Sequence, residues 1–123
     1  MTKTVFVIDD SMMVRRQVGD LLTNLGYAVV EAIDGVDALE KLAATKEAHL
    51  LVCDVNMPRM NGIELLGCLA ERGSTVPIIM LTTEGDPELI ARGTALGAKG
   101  WLIKPVKPEF ITATAKKLAP LTE

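Results

Sequence analysis

Five short apolar runs, each followed by an amphipathic stretch, alternate along the whole chain, and this alternation limits the fold more than any other feature. Thr4–Ile8 ("TVFVI") reads as a strand, and Met13–Leu25 as a helix with Val14, Val18, Leu21, Leu22 and Leu25 on one face. Gly26 stands where a helix C-cap is expected. Ala28–Glu31 gives a second strand, and Asp34-Gly35-Val36-Asp37 opens a second helix carrying Val36, Leu39 and Leu42. His49–Cys53 is continuously apolar, as a strand covered on both faces should be. Asn61-Gly62-Ile63-Glu64 has capping-box spacing and starts a helix with Ile63, Leu66 and Leu69 on its apolar face. Val76–Leu81 is a fourth strand, with Pro77 near its start, where a missing N–H is tolerated. Asp86-Pro87 supplies an N-cap and a first-turn proline for a fourth helix ending near Leu96. Gly100–Ile103 is a fifth strand, and Pro108 begins a fifth helix that ends near Leu118. Strict alternation of this kind predicts an α/β fold: a doubly wound, five-stranded parallel sheet with right-handed crossovers and helices on both faces.

A chain of 123 residues suits one domain, burying roughly two-thirds of its unfolded surface. The fifth helix closes the sequence, so one domain over 1–123 is expected, with no DNA-binding output domain. A net charge of −3 also argues against a nucleic-acid surface, which needs a basic stripe. Only four apolar residues separate Thr4 from Asp9, too few for a signal peptide or membrane span, so a cytoplasmic protein without membrane insertion is expected. Cys53 and Cys68 have no metal-ligand spacing and lie in apolar runs, which predicts two buried, reduced thiols. His49 is the single histidine, too little for a histidine-based metal site or dyad.

The first strand runs directly into Asp9 and Asp10, although Asp is poorly tolerated beside a sheet interior unless it is paired or metal-bound. Capping the next helix would need one of them at most. In an open parallel sheet, functional groups gather beyond the carboxyl ends of the strands. Those ends carry Asp9-Asp10, Asp54, Thr82-Thr83 and Lys104-Pro105. Each has an ordinary explanation alone, as a turn Asp, a strand-end Thr or a surface Lys; their convergence on one rim does not. Two carboxylates ~4 Å apart repel by about 4 kcal/mol at an effective dielectric of ~20, so three must share protons or hold a cation. Oxygen ligands without imidazole or thiolate point to Mg²⁺, or Mn²⁺, rather than zinc. Mg²⁺ takes one or two carboxylates and a phosphate oxygen, which makes the rim a phosphoryl-transfer site.

Four stretches, "VIDDS", "LLVCDVNMPRMNG", "IIMLTT" and "GAKGWLIKP", resemble the receiver domain of two-component response regulators, most closely single-domain chemotaxis regulators of the CheY type. The resemblance covers nearly the whole chain and implies the flavodoxin-like strand order 2-1-3-4-5. It implies that Asp54 accepts a phosphoryl group from a sensor histidine kinase. Asp9, Asp10, Asp54 and the backbone carbonyl of Asn56 would hold Mg²⁺, and Thr82 and Lys104 would contact the phosphoryl oxygens. A cis peptide at Lys104-Pro105 is implied too. Such a protein is a phosphoacceptor rather than an enzyme, assisting only its own phosphorylation and dephosphorylation. Asn56 and Glu84 would tune attack by water on the phosphoryl group, both polar, which suits a short-lived signal. Two positions depart from the common pattern. Trp101 stands where the family usually has a Tyr or Phe switch, and Thr83 replaces a commonly smaller residue.

A downstream protein is expected on the face around helix 4, strand 5 and helix 5. There Trp101 and Ile103 point to one side, flanked by Lys99 and Lys104, with Thr82 and Trp101 as the switch pair. A monomer is expected. Passing the phosphate on to a histidine phosphotransfer protein, as shuttle or sink, is the alternative use. An Asp-nucleophile phosphatase of the haloacid-dehalogenase kind is more remote: it needs a general acid two residues after the nucleophile, where this chain has Asn56. A flavodoxin-like cofactor binder would need a phosphate loop where Asp9 and Asp10 stand.

Overall fold

The computed structural model describes residues 2–83 and 85–121. Its elements are β1 (Thr4–Ile8), α1 (Met12–Asn24), β2 (Ala28–Ala32), α2 (Gly35–Ala44), β3 (Leu50–Asp54), α3 (Gly62–Glu71), β4 (Ile78–Thr82), α4 (Pro87–Ala95), β5 (Gly100–Ile103) and α5 (Pro108–Leu118). All five strands pair in parallel in the order β2-β1-β3-β4-β5. Among the described residues, no helix is long and apolar enough to cross a membrane.

Successive strand residues point to opposite sheet faces, so each central strand feeds two cores. Phe6, Ile8, Leu51, Cys53 and Met80 join Ala38, Ile63 and Leu66 beneath α2, α3 and α4. Val5, Val7, Val52, Ile79 and Leu81 join Val18, Leu22 and Ile111 beneath α1 and α5. This two-sided burial explains why the central strands read as unbroken apolar runs.

Helix starts follow their caps. Ser11 Oγ accepts from the Val14 N–H at 3.3 Å, so α1 begins at Met12, one residue earlier than its apolar periodicity alone suggests. Asp34 Oδ1 accepts from the Asp37 N–H at 2.8 Å, and Asp86 Oδ1 from the Glu88 N–H at 3.0 Å. Asn61 and Glu64 complete a reciprocal capping box. Gly26, just beyond the C-cap of α1, has φ +106°, a conformation glycine adopts without strain.

Other boundaries shift for local reasons. β4 starts at Ile78 because Pro77 has no N–H to give; its carbonyl still accepts from the Leu51 N–H at 2.9 Å. β3 runs Leu50–Asp54, with His49 outside it but tied to Thr4, whose N–H donates to His49 Nδ1 at 2.9 Å. Cys53 is fully buried, whereas Cys68 is only half-buried, because it sits at the margin of the α3 stripe formed by Gly62, Leu65, Leu66 and Leu69.

Gly62 sets how closely α3 approaches the functional end of β3. Its N–H donates to Val55 O at 2.8 Å, and a Cβ there would strike the Asp54 carbonyl oxygen and lie 2.7 Å from the terminal methyl of Met80. Gly62→Ala should therefore destabilise the protein by about 1–3 kcal/mol in urea denaturation, as overpacking does. Gly67 lies in the same helix with open space at its Cβ position. Gly67→Ala should stabilise by about 0.5–1 kcal/mol, and equal effects at the two positions would contradict this packing.

Candidate functional site

Strand register assembles the site before any side chain is considered. Ile8 lies opposite Cys53, so the next residues, Asp9 and Asp54, emerge side by side at the ends of β1 and β3. Thr82 lies opposite Ile103, which puts Lys104 one step beyond β5, and the Lys104 N–H donates to Thr82 O at 2.8 Å. Carboxylate oxygens of Asp9, Asp10 and Asp54 all lie within 4.8 Å of one another. Asp9 is wholly buried and Asp54 nearly so, while Asp10 is exposed. The Lys104 ammonium enters this cluster, 2.7 Å from Asp9 Oδ2 and 3.1 Å from Asp54 Oδ1. Thr82 is buried at the end of β4, and the Lys104-Pro105 peptide is cis.

The charges are not fully balanced. Burial and the neighbouring Asp9 carboxylate push the Asp54 carboxyl above its ordinary range, and Lys104 only partly opposes them. Burial alone would lower the Lys104 pKa, but the hydrogen bond to Asp9 and the attraction of both carboxylates outweigh it and raise the pKa. Lys104 is therefore a fixed cation. Burial, Asp54 and Asp9 together push the Cys53 thiol far up, so it stays protonated, and its Sγ donates to Asp54 O at 3.2 Å. What remains is an all-oxygen donor set beside one ammonium, suited to a hard divalent cation and an anionic substrate.

Two features of the rim have no plain signature in the sequence. Arg15 Nη1 donates to the Asp9 backbone carbonyl at 2.7 Å, and its Nε donates to Glu31 Oε1 at 3.1 Å. The available signal is a cation in the opening turns of α1, where the helix dipole favours acids. The second feature is an apolar groove of about 810 Å³ between α1 and α5, lined by Met13, Val14, Leu21 and Val106 and reaching Thr83 and Lys104. It arises from the packing of two helices distant in sequence.

Beyond the rim, Trp101 is half-buried, with its indole on Gly93 of α4 and its Nε1 donating to Thr94 Oγ1 at 3.3 Å. A Cβ at position 93 would strike the ring. Ile103 is 53% exposed and Lys99 is exposed, as a docking patch requires. Lys104 does not rim that patch: the two carboxylates draw its ammonium inward, leaving the side chain 15% exposed. Asn56 is exposed on the loop after β3, and Glu84 lies outside the described residues.

The family described as response regulator receiver domain matches residues 5–116. The chain is 38% identical over 110 residues to chemotaxis protein CheY1 of Helicobacter pylori, covering 87% of this chain and 89% of that one. It is 38% identical over 104 residues to chemotaxis protein CheY of Treponema pallidum, covering 83% and 72% respectively. A solved structure of Vibrio cholerae chemotaxis protein CheY4 superposes with a TM-score of 0.89 at 38% identity, covering 96% of this chain and 99% of that one. With its five-stranded parallel sheet and its acidic rim, the chain belongs to the response regulator receiver domain family.

The raised Asp54 carboxyl makes a pH prediction. A carboxyl with a raised folded-state pKa favours the fold below its unfolded pKa, and that advantage is lost as pH rises through the folded value. Charged Asp54 therefore weighs against the metal-free fold at neutral pH. Asp54→Asn should raise the urea midpoint at neutral pH in chelator, with the gain disappearing below the ordinary value of 3.8. A gain that persists at low pH would show that charge is not its cause.

Proposed function

We propose that this receiver takes a phosphoryl group onto Asp54 from the phosphohistidine of a sensor kinase and signals through protein contact. The observation that carries the reading is the Lys104 ammonium held between Asp9 and Asp54, beside the exposed Asp10 carboxylate. A carboxylate nucleophile and fixed positive charge around it are most of what phosphoryl transfer requires of a protein.

In the reaction, an Asp54 carboxylate oxygen attacks phosphorus, an O–P bond forms, and the N–P bond breaks with its electron pair returning to the donor imidazole. Lys104 turns from the carboxylates to the equatorial phosphoryl oxygens, and the Thr82 hydroxyl donates a hydrogen bond to one of them. Asp9, Asp10, Asp54 and the Asn56 carbonyl fit as ligands for Mg²⁺, with Mn²⁺ an equivalent hard cation. When bound, the ion neutralises charge on the transferring group. Asn56 and Glu84 then govern access of the water that hydrolyses the aspartyl phosphate. The protein assists only its own phosphorylation and dephosphorylation and is not an enzyme in the multiple-turnover sense.

The output belongs to the face around α4, β5 and α5, where Trp101, Ile103 and Lys99 would meet a partner segment in a cytoplasmic, monomeric regulator. Thr82 and Trp101 couple that face to the site, with the indole moving against Gly93 and α4. Use in chemotaxis is supported by relatives that are named chemotaxis proteins.

Incubation with a cognate kinase and Mg²⁺ should label the protein with an acid-stable, base-labile phosphate, mapped by mass spectrometry to Asp54 alone. Asp54→Asn should abolish the label. Labelling of that variant at the normal rate would refute the assignment.

A further inference from the structure

We infer that the Arg59–Asp34 ion pair is a positioning device that holds the β3–α3 loop in its metal-binding shape; the inference rests on the reading of Asn56 as a metal ligand. That loop runs from Val55 to Asn61 and carries Asn56 on its exposed side. Arg59, three residues on, has φ 63°, a left-handed conformation that residues other than glycine rarely adopt. Something must hold it there, and two ties do. Arg59 Nε donates to Asp34 Oδ2 at 2.7 Å, and Nη2 donates to Asp34 Oδ1 at 3.1 Å, a two-pronged contact. Next to it, the Gly35 N–H donates to Met60 O at 3.0 Å, and the Met60 side chain lies where a Cβ of Gly35 would be.

Surface ion pairs usually contribute little, and Arg59 itself is half exposed. This pair differs in its acid, because Asp34 is only 1% exposed. Burial alone would raise the Asp34 pKa, but Arg59 and backbone N–H groups outweigh it and hold the carboxyl below its usual range. Asp34 also caps α2 through Oδ1, which would need no partner on Oδ2. The second oxygen serves the loop. A rigid helix start is thereby joined to the one loop whose backbone, rather than side chain, would face the cation. Arg59 touches none of the three clustered carboxylates, so it acts through the shape of the chain. Outer partners that orient metal ligands contribute substantially to metal affinity.

The test is Mg²⁺ titration of the intact, unphosphorylated chain by calorimetry, with Mn²⁺ titration followed by electron paramagnetic resonance as a second readout. Arg59→Ala should weaken binding about tenfold, the lower end for such outer partners. Arg59→Lys keeps the charge but loses the two-pronged geometry, so it should recover only part of the affinity. Asp34→Asn keeps a competent helix cap and should weaken binding to a similar degree, with no further loss in the double variant. A purely electrostatic role predicts the opposite sign: removing a nearby cation would tighten Mg²⁺, and Arg59→Lys would match the original. Unchanged or tighter binding in Arg59→Ala, whatever Asp34→Asn does, in protein whose melting shows it folded, overturns the inference. If the unsubstituted chain binds no Mg²⁺, the metal-site reading fails and this inference fails with it.

Discussion

The Lys104 ammonium, 2.7 Å from Asp9 and 3.1 Å from Asp54, is the contact on which the functional end of the sheet depends. Asp9 and Asp54 leave adjacent strands in matching register, so their carboxylates meet whether or not the electrostatics favour it. Buried as they are, two unopposed carboxylates would repel by several kcal/mol. Lys104 reaches across from the far side of β4 to neutralise part of that repulsion, while burial and the Asp9 charge still hold the Asp54 carboxyl above its ordinary range. The residual negative charge gives the site its use. Under the proposed function it would attract a divalent cation, held by Asp9, Asp10 and Asp54, and Lys104 would add positive charge beside an incoming phosphoryl group.

Holding such a cluster requires rigid surroundings, and the fold provides them on three sides. Gly62 lets α3 press directly onto the Asp54 carbonyl. Arg15 ties the Asp9 carbonyl to Glu31 at the end of β2, and Arg59 ties the following loop to Asp34 just beyond it. Two arginines, one on α1 and one on the β3–α3 loop, thus reach one short segment, Glu31–Asp34, which offers no ligand to the site itself. The β2–α2 junction becomes a common anchor for both loops.

Most of the architecture was legible in the sequence because its signals are local. An apolar run of five residues, a Ser or Asp cap, and Asn61 with Glu64 three residues on each specify an element from its own residues. The carboxylate rim was legible for a related reason. In a parallel sheet the carboxyl ends share one edge, so listing the strand ends also lists the neighbours. Long-range geometry was not legible. The direction of the Lys104 side chain depends on Asp9 and Asp54, both far away in sequence, so an outward cation was as natural a reading as an inward one. The seat of Trp101 on Gly93, the α1–α5 groove and the Arg59–Asp34 pair likewise join residues whose separation carries no periodic signal. Cys68 shows a smaller limit, since its place at the edge of a helical stripe is decided by side-chain packing rather than by the stripe.

If Lys104 both balances the carboxylates and assists transfer, its removal must act in opposite directions on two measurable quantities. Lys104→Met removes a positive charge that competes with a divalent ion for Asp9 and Asp54, while leaving an apolar stem of similar length. Calorimetry should therefore show Mg²⁺ binding several-fold more tightly to Lys104→Met than to the unsubstituted protein. At saturating Mg²⁺, phosphorylation of Asp54 by a small phosphodonor should nevertheless be much slower, because one source of charge on the phosphoryl oxygens is gone. Weaker Mg²⁺ binding together with an unchanged phosphorylation rate would contradict the account at its centre.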